Sequence, residues 1–357
     1  MEIAPFGLER WFAEHEHEAD LMLAESGIRS LSAGRFDLDP GELGYVIPTS
    51  GDPDLRAQVA DRYGRTADEV LFTCGTQEAN LVAFLSLLGR DDHAVVVTPT
   101  YQALHAVPDA VGEVTRVGLE PPDWRLPVDA VADAVRPETR LIVVNNPNNP
   151  TGRYHPEERI RALYDIAADE DAYLLCDEVY RLLARDPQEP VAAMGERGIS
   201  TTSLTKAYGL AGCRFGWMAG PPDVITDAWR WKDYTTISPS VFGQHVARQA
   251  LEPDTEADIL DENRALARRN RGIVDEFVDD HGLDWYYPVG VNGFVTVPDA
   301  FADAREFCLA VVEEESAVLA PGDVFGHPDY VRIGFGLPTE DLNDGLDRVG
   351  DCIERHR

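Results

Sequence analysis

Short apolar runs rich in β-branched residues recur through the middle of the chain, at 69–74, 93–98, 141–145, 173–176, 201–204 and 215–219. Between them lie stretches whose apolar positions return with helical spacing, such as 77–88, closed by Gly89, and 156–169, which ends before Glu170 and Asp171. A short continuous apolar run predicts a strand buried on both faces, and the 3.6-residue spacing predicts the helices that cover it. Strand and helix in alternation predict an α/β fold with a mainly parallel central sheet and helices on both faces. Ligands of such sheets gather beyond the carboxyl ends of the strands. The polar clusters of this sequence fall at those ends.

The first cluster, Thr73-Cys74-Gly75-Thr76-Gln77-Glu78-Ala79-Asn80, stands between a strand and an apolar helix. A glycine followed by hydroxyl and amide residues at a helix start offers free N–H groups and the positive end of the helix dipole, hence an anion site; Thr76 is equally an ordinary helix cap. No GxGxxG or GxxxxGK[ST] follows any strand, so a dinucleotide or nucleoside triphosphate is not the expected anion. The second cluster, Asn145-Asn146-Pro147-Asn148-Asn149-Pro150-Thr151-Gly152, must turn, and turn formation alone explains most of it. The third, Cys176-Asp177-Glu178-Val179-Tyr180, sets two acids directly after a buried strand, where Asp177 needs a cation. The fourth runs from Ser203 through Lys206 to Arg214 and places a lysine among hydroxyls and glycines. Burial there would lower its pKa towards a nucleophilic amine.

Charge changes the picture twice. The 357 residues carry 64 Asp+Glu against 31 Lys+Arg, a net charge of −33. An affinity for nucleic acid or for an anionic membrane needs a basic surface and is not expected. An acidic, lysine-poor surface suits a protein adapted to high salt, where self-repulsion is screened. Lys206 and Lys232 are the two lysines, against 29 arginines; Lys232 reads as a surface residue. The odd, widely spaced set Cys74, Cys176, Cys213, Cys308 and Cys352 reads as buried small hydrophobes in a reducing compartment. No metal-ligand spacing, signal peptide or membrane-length apolar run is present, so a metal-free, cytoplasmic, soluble protein is expected.

Taken in order and spacing, the four clusters resemble the fold-type-I pyridoxal-phosphate enzymes of the class I/II aminotransferase family, over roughly 20–336. The resemblance implies that Lys206 holds the cofactor as a Schiff base and moves the substrate's α-proton, while Asp177 keeps the pyridine nitrogen protonated. It implies hydrogen bonds from Tyr180 and Asn149 to the ring oxygen, an aromatic stack from Tyr101, and a phosphate cradle of Gly75, Thr76, Gln77, Ser203 and Arg214. Tyr45 matches a tyrosine that reaches the phosphate of the other subunit, which implies a homodimer with shared active sites. Arg332 matches the arginine that grips the substrate α-carboxylate.

The implied reaction is amino transfer from an L-amino acid to a 2-oxo acid. Elimination or cyclisation keeps every cofactor contact, and the N-terminal arm is similar to that of capreomycidine-synthase-like relatives, which cyclise an arginine derivative. A non-catalytic effector module would have lost its lysine or gained a DNA-binding domain, and neither is seen. The arm lacks the common Gly-x-Pro pattern, and Phe6, Trp11, Ser26 and Gly27 are candidates for shaping specificity, Gly27 as a substrate-binding residue; plain packing explains the two aromatics as well. No second arginine is assignable to a dicarboxylate side chain. The expected division is a large cofactor domain, 40–235, and a small α+β domain from 1–39 and 236–357.

Overall fold

The computed structural model describes residues 2–17 and 19–357. In chain order its strands are β1 (Leu21–Met22), β2 (Val70–Thr73), β3 (His93–Thr98), β4 (Glu113–Gly118), β5 (Thr139–Asn145), β6 (Tyr173–Asp177), β7 (Gly198–Ser203), β8 (Gly216–Ala219), β9 (Asn292–Thr296), β10 (Ala317–Val318), β11 (Ala320–Pro321) and β12 (Tyr330–Gly334). Seven of them form one sheet in the order β2-β8-β7-β6-β5-β3-β4. β8 pairs antiparallel with both of its neighbours, and the remaining pairs are parallel.

The inner strands β3, β5 and β6 are mainly apolar because both faces are covered. Ala94 and Val96 of β3, with Leu141 and Val143 of β5, pack into one core. The alternating Val95, Val97, Ile142 and Val144 pack into another on the opposite face. Each expected run is a strand, with ends shifted by up to three residues. β4 carries no such run: it is the sheet edge, and Glu113, Arg116 and Gly118 are exposed. Of the cysteines, Cys176, Cys308 and Cys352 are buried as expected. Cys74 and Cys213 are partly exposed, since Cys74 sits in the turn after β2 and Cys213 ends a short 3-10 turn, Ala211–Cys213, outside the apolar strands.

A third core surrounds the antiparallel sheet β11-β12-β9 and takes in Val70 and Phe72 of β2 and Trp217 and Ala219 of β8. The N-terminal segment belongs to it, for β1 pairs in parallel with β10. It then runs so close to the chain after β12 that a Cβ on Gly334 would lie 1.9 Å from the carbonyl oxygen of Glu25, and one on Gly336 equally close to that of Gly27. Glycine is required there by space. The helix Pro253–His281 ties the chain after β12 to the loop after β7: Asn270 donates to the carbonyls of Phe335 and Leu337, and Asn263 donates to that of Ala207, next to Lys206. Among the described residues no helix is long and apolar enough to cross a membrane.

Candidate active site

The C-terminal ends of β5, β6 and β7 open onto a cavity of about 430 Å³. Its lining includes Thr76, Gln77, Tyr101, Asn149, Asp177, Tyr180, Ser203, Lys206, Arg214 and Arg332, so residues spread over the whole chain meet in one place. Topology does this: Asn145, Asp177 and Thr201 are direct partners across adjacent strands.

Asp177 is buried, and both of its oxygens accept only from neutral donors, the Asn80 amide at 3.0 Å and the Val179 N–H at 3.2 Å. Burial pushes its pKa up to about 6, against those hydrogen bonds and the charge of Lys206, with Glu178 adding to the rise. Asn80 is itself aimed by the Thr201 hydroxyl, 2.6 Å from its carbonyl oxygen. Asn145 donates to the Asp177 carbonyl and accepts the Asn149 N–H.

Lys206 follows β7 and reaches the Ser26 hydroxyl at 3.2 Å. Burial brings its pKa down to about 8. Glu25, Glu9 and Asp177 oppose the shift and Arg332 reinforces it. Tyr180 is buried and its hydroxyl is pushed up to about 12 by desolvation. Tyr101 stacks on Phe6 at 4.9 Å and donates to Glu9 at 3.2 Å; burial and Glu9 both raise its pKa.

Arg332, on β12, is fully buried. Nη1 donates to the Asn149 side chain at 2.9 Å, Nη2 donates to the Ala24 carbonyl at 2.6 Å, and Nε has no partner. A guanidinium whose partners are all neutral is a charge prepared for an anion, and burial lowers its pKa accordingly.

The other anion position lies at the start of the helix Thr76–Leu87. Gly75 precedes it at φ 97°, and a Cβ there would meet Arg214 Nη2 at 2.9 Å. Arg214 Nη2 donates to the Cys74 carbonyl. Thr76 is not the helix cap, since Gly75 occupies that place, and the Thr76 hydroxyl is buried without a partner. Free helix N–H groups, an unused hydroxyl and an arginine make a cradle suited to phosphate.

Tyr45 is 72% exposed and stands outside the cavity within one chain, between exposed Leu43 and Ile47. Two expectations, Gly27 and Lys232, land elsewhere. Gly27 packs against Gly336, and its neighbours Glu25 and Ser26 line the cavity instead. Lys232 is not a surface lysine: it is wholly buried, 3.1 Å from Glu78, because the helix Pro222–Lys232 ends against the turn at Cys74. Trp11 is core, its indole N–H donating to the Leu319 carbonyl at 2.8 Å.

Sequence reasoning assigned no role to Asn80, Glu9, Glu16 or Glu25. Asn80 had a signal, falling one helical turn beyond Thr76 and Gln77 on the helix they begin. Glu9, Phe12 and Glu16 share a face of the N-terminal helix and its end, and together they wall the cavity.

A buried lysine, a buried acid and a helix start suited to an anion, together beyond the ends of a mainly parallel sheet, are the arrangement of a fold-type-I pyridoxal-phosphate enzyme. The chain belongs to the aminotransferase class I and II family, whose sequence model matches residues 27–349. It is 33% identical over 370 residues to capreomycidine synthase from Streptomyces vinaceus, covering 98% of this chain and 94% of that protein. Its structure is similar to that of a PLP-dependent aminotransferase from Streptococcus suis, with TM-score 0.94 and 30% identity over 100% of this chain and 99% of the other. It is also similar to that of the PLP-dependent cyclase OrfR, with TM-score 0.92 and 29% identity over 100% and 99%.

Proposed function

We propose that this enzyme moves an amino group from an L-amino acid to a 2-oxo acid, with Lys206 binding the cofactor and carrying the proton. One observation carries the reading: a single cavity holds both a buried guanidinium with only neutral partners, Arg332, and an amine drawn down to about 8, Lys206. Amino acid and 2-oxo acid share the carboxylate that Arg332 would grip, so one arginine serves both substrates. When bound, pyridoxal phosphate supplies the carbonyl carbon that takes the amino group and a ring that accepts the electron pair left at the α-carbon. The protein's own groups do the rest. Lys206, depressed from 10.5, offers free amine near neutral pH far more often than an ordinary lysine and takes the α-proton as a general base. Asp177 would accept the ring N–H, which gives its buried carboxylate the cation it lacks. Tyr180 and Asn149 would donate to the ring oxygen, Tyr101 would lie on the ring face, and Gly75, Thr76, Gln77, Ser203 and Arg214 would hold the phosphate.

A second reading, elimination or cyclisation at the β-carbon after the same proton removal, draws support from the likeness to capreomycidine synthase and to a cyclase. The cavity wall also favours a substrate with a positive side chain, since Glu9, Glu16 and Glu25 line it and no Lys or Arg among the described residues pairs with them. One experiment separates the readings. Holoenzyme given an amino acid without any 2-oxo acid should form about one equivalent of 2-oxo product per site and stop, and Lys206→Ala should form none. Continuous turnover with release of ammonia, or of a cyclic product, would replace transamination by the second reading.

We also infer a large domain at 40–235 and a small one at 1–39 with 236–357, a division supported by the pairing of β1 with β10. The exposed run of Leu43, Tyr45 and Ile47 supports a homodimer in which Tyr45 reaches the partner's phosphate site. Sedimentation equilibrium of the holoenzyme should give twice the chain mass; a monomer with full activity would remove Tyr45 from the site.

A further inference from the structure

The ammonium of Lys232 and the carboxylate of Glu78 form a buried ion pair next to the phosphate cradle, and the reaction described above does not use it. Glu78 lies in the first turn of the helix Thr76–Leu87, and every lone pair it can use is engaged. Oε2 accepts the Cys74 N–H at 2.6 Å and Lys232 Nζ at 3.1 Å; Oε1 accepts the hydroxyls of Thr236, at 2.7 Å, and of Thr235. Lys232 Nζ donates to Thr236 as well. Burial raises the Glu78 pKa, but the Cys74 N–H, the two hydroxyls and Lys232 together bring it below the ordinary value, so the carboxylate is charged.

A carboxylate in this turn is in conflict with the ligand. It suits the positive end of the helix dipole, yet it opposes a dianionic phosphate bound at the same end. Lys232 resolves the conflict by cancelling the charge without displacing Glu78 from Cys74. The two peptide groups that flank Cys74 are then both held, the Cys74 N–H by Glu78 and the Cys74 carbonyl by Arg214. The site leaves no room for the substitution that prevails elsewhere: Lys232 is 0% exposed and tied to two partners, and a planar guanidinium is larger than an ammonium.

We propose that Lys232 is a positioning residue for the cofactor phosphate, neutralising Glu78 while Glu78 shapes the turn Cys74-Gly75-Thr76. The inference rests on the assignment of that turn as the phosphate site. The test is titration of cofactor-stripped protein with pyridoxal phosphate and, separately, with pyridoxal, which lacks the phosphate, followed by tryptophan fluorescence. Lys232→Met should weaken pyridoxal phosphate by at least about tenfold and pyridoxal by less than about threefold. Equal loss for both ligands, or none, overturns the proposal, because a merely structural lysine would not distinguish them. Should that variant not fold, Lys232→Met combined with Glu78→Leu buries no charge and frees the Cys74 N–H. It should show a phosphate-selective loss of about threefold or more, and unchanged selectivity overturns the proposal. Arg214→Gln separates the two levels of the argument. If it is phosphate-selective and Lys232→Met is not, the role of Lys232 fails alone; if neither is selective, the phosphate assignment fails and takes the inference with it.

Discussion

The floor and the wall of the cavity are built on opposite principles. On the floor, Thr201 orients Asn80, Asn80 orients Asp177, and Asn145 joins Asp177 to Asn149, all buried and all rooted at strand ends or on the first helix after β2. On the wall, Glu9, Glu16 and Glu25 are exposed, and the one side-chain hydrogen bond among them to another element comes from Tyr101. The wall helix is fixed through buried Leu8 and Trp11, and its acids stay exposed. A closed network of this kind holds one geometry and tolerates little change. Exposed charges on an anchored helix are separable from that geometry, so substrate choice can vary while the cofactor chemistry stays the same.

The largest effect should come from the floor. Asp177 titrates at about 6 in the folded protein against 3.8 as its ordinary value. Without cofactor the folded state therefore binds the proton more tightly than the unfolded state does. The stability this contributes is fully present below pH 3.8, is lost as pH rises to about 6, and leaves a cost of about 3 kcal/mol above that. Asp177→Asn should remove the cost: in urea unfolding the cofactor-free variant should be more stable than the parent at pH 8, with the gap closing towards pH 4. Turnover of the same variant should fall by at least about a hundredfold, since the ring nitrogen loses its counter-charge. Parallel stability curves for the two proteins across pH would show that Asp177 is not strained by burial, and the contrast between floor and wall would lose its basis.

Floor and wall also differed in how far the sequence disclosed them. β3, β5 and β6 were legible because a strand covered on both faces has to be apolar, and Asp177 and Lys206 stood out because an acid and a lysine directly after such strands are costly to bury; turn formation accounts for Asn149 as well, so it and Arg214 were singled out by the family resemblance alone. β4 was not, since an edge strand with Glu113, Thr115 and Arg116 reads as a loop. Lys232 follows Trp229, Arg230 and Trp231, all at least partly exposed, and its partner Glu78 lies 154 residues earlier, so nothing local distinguished it from a solvated helix end. The same limit hid the wall. Among 64 acidic residues, Glu9, Glu16 and Glu25 carry no distinguishing neighbour, and only the docking of the N-terminal helix makes them a group.

The smallest effect should come from that group, and it tests whether the wall reads charge at all. Arginine and citrulline have nearly the same shape, and citrulline lacks the charge. The ratio of their kcat/KM values isolates the electrostatic part of recognition from size and from the chemistry at the α-carbon. Glu9→Gln and Glu25→Gln should each lower the arginine-to-citrulline ratio by about threefold to tenfold, because exposed carboxylates acting through solvent are worth little apiece. Turnover should change much less than the ratio, since both side chains face the cavity from outside the network that holds Asp177. Raising salt to about 1 M, where the screening length falls to about 3 Å, should erode the parent's preference towards that of the variants. A ratio that neither substitution nor salt moves would mean that the acids belong to the general negative surface, with specificity set by shape alone.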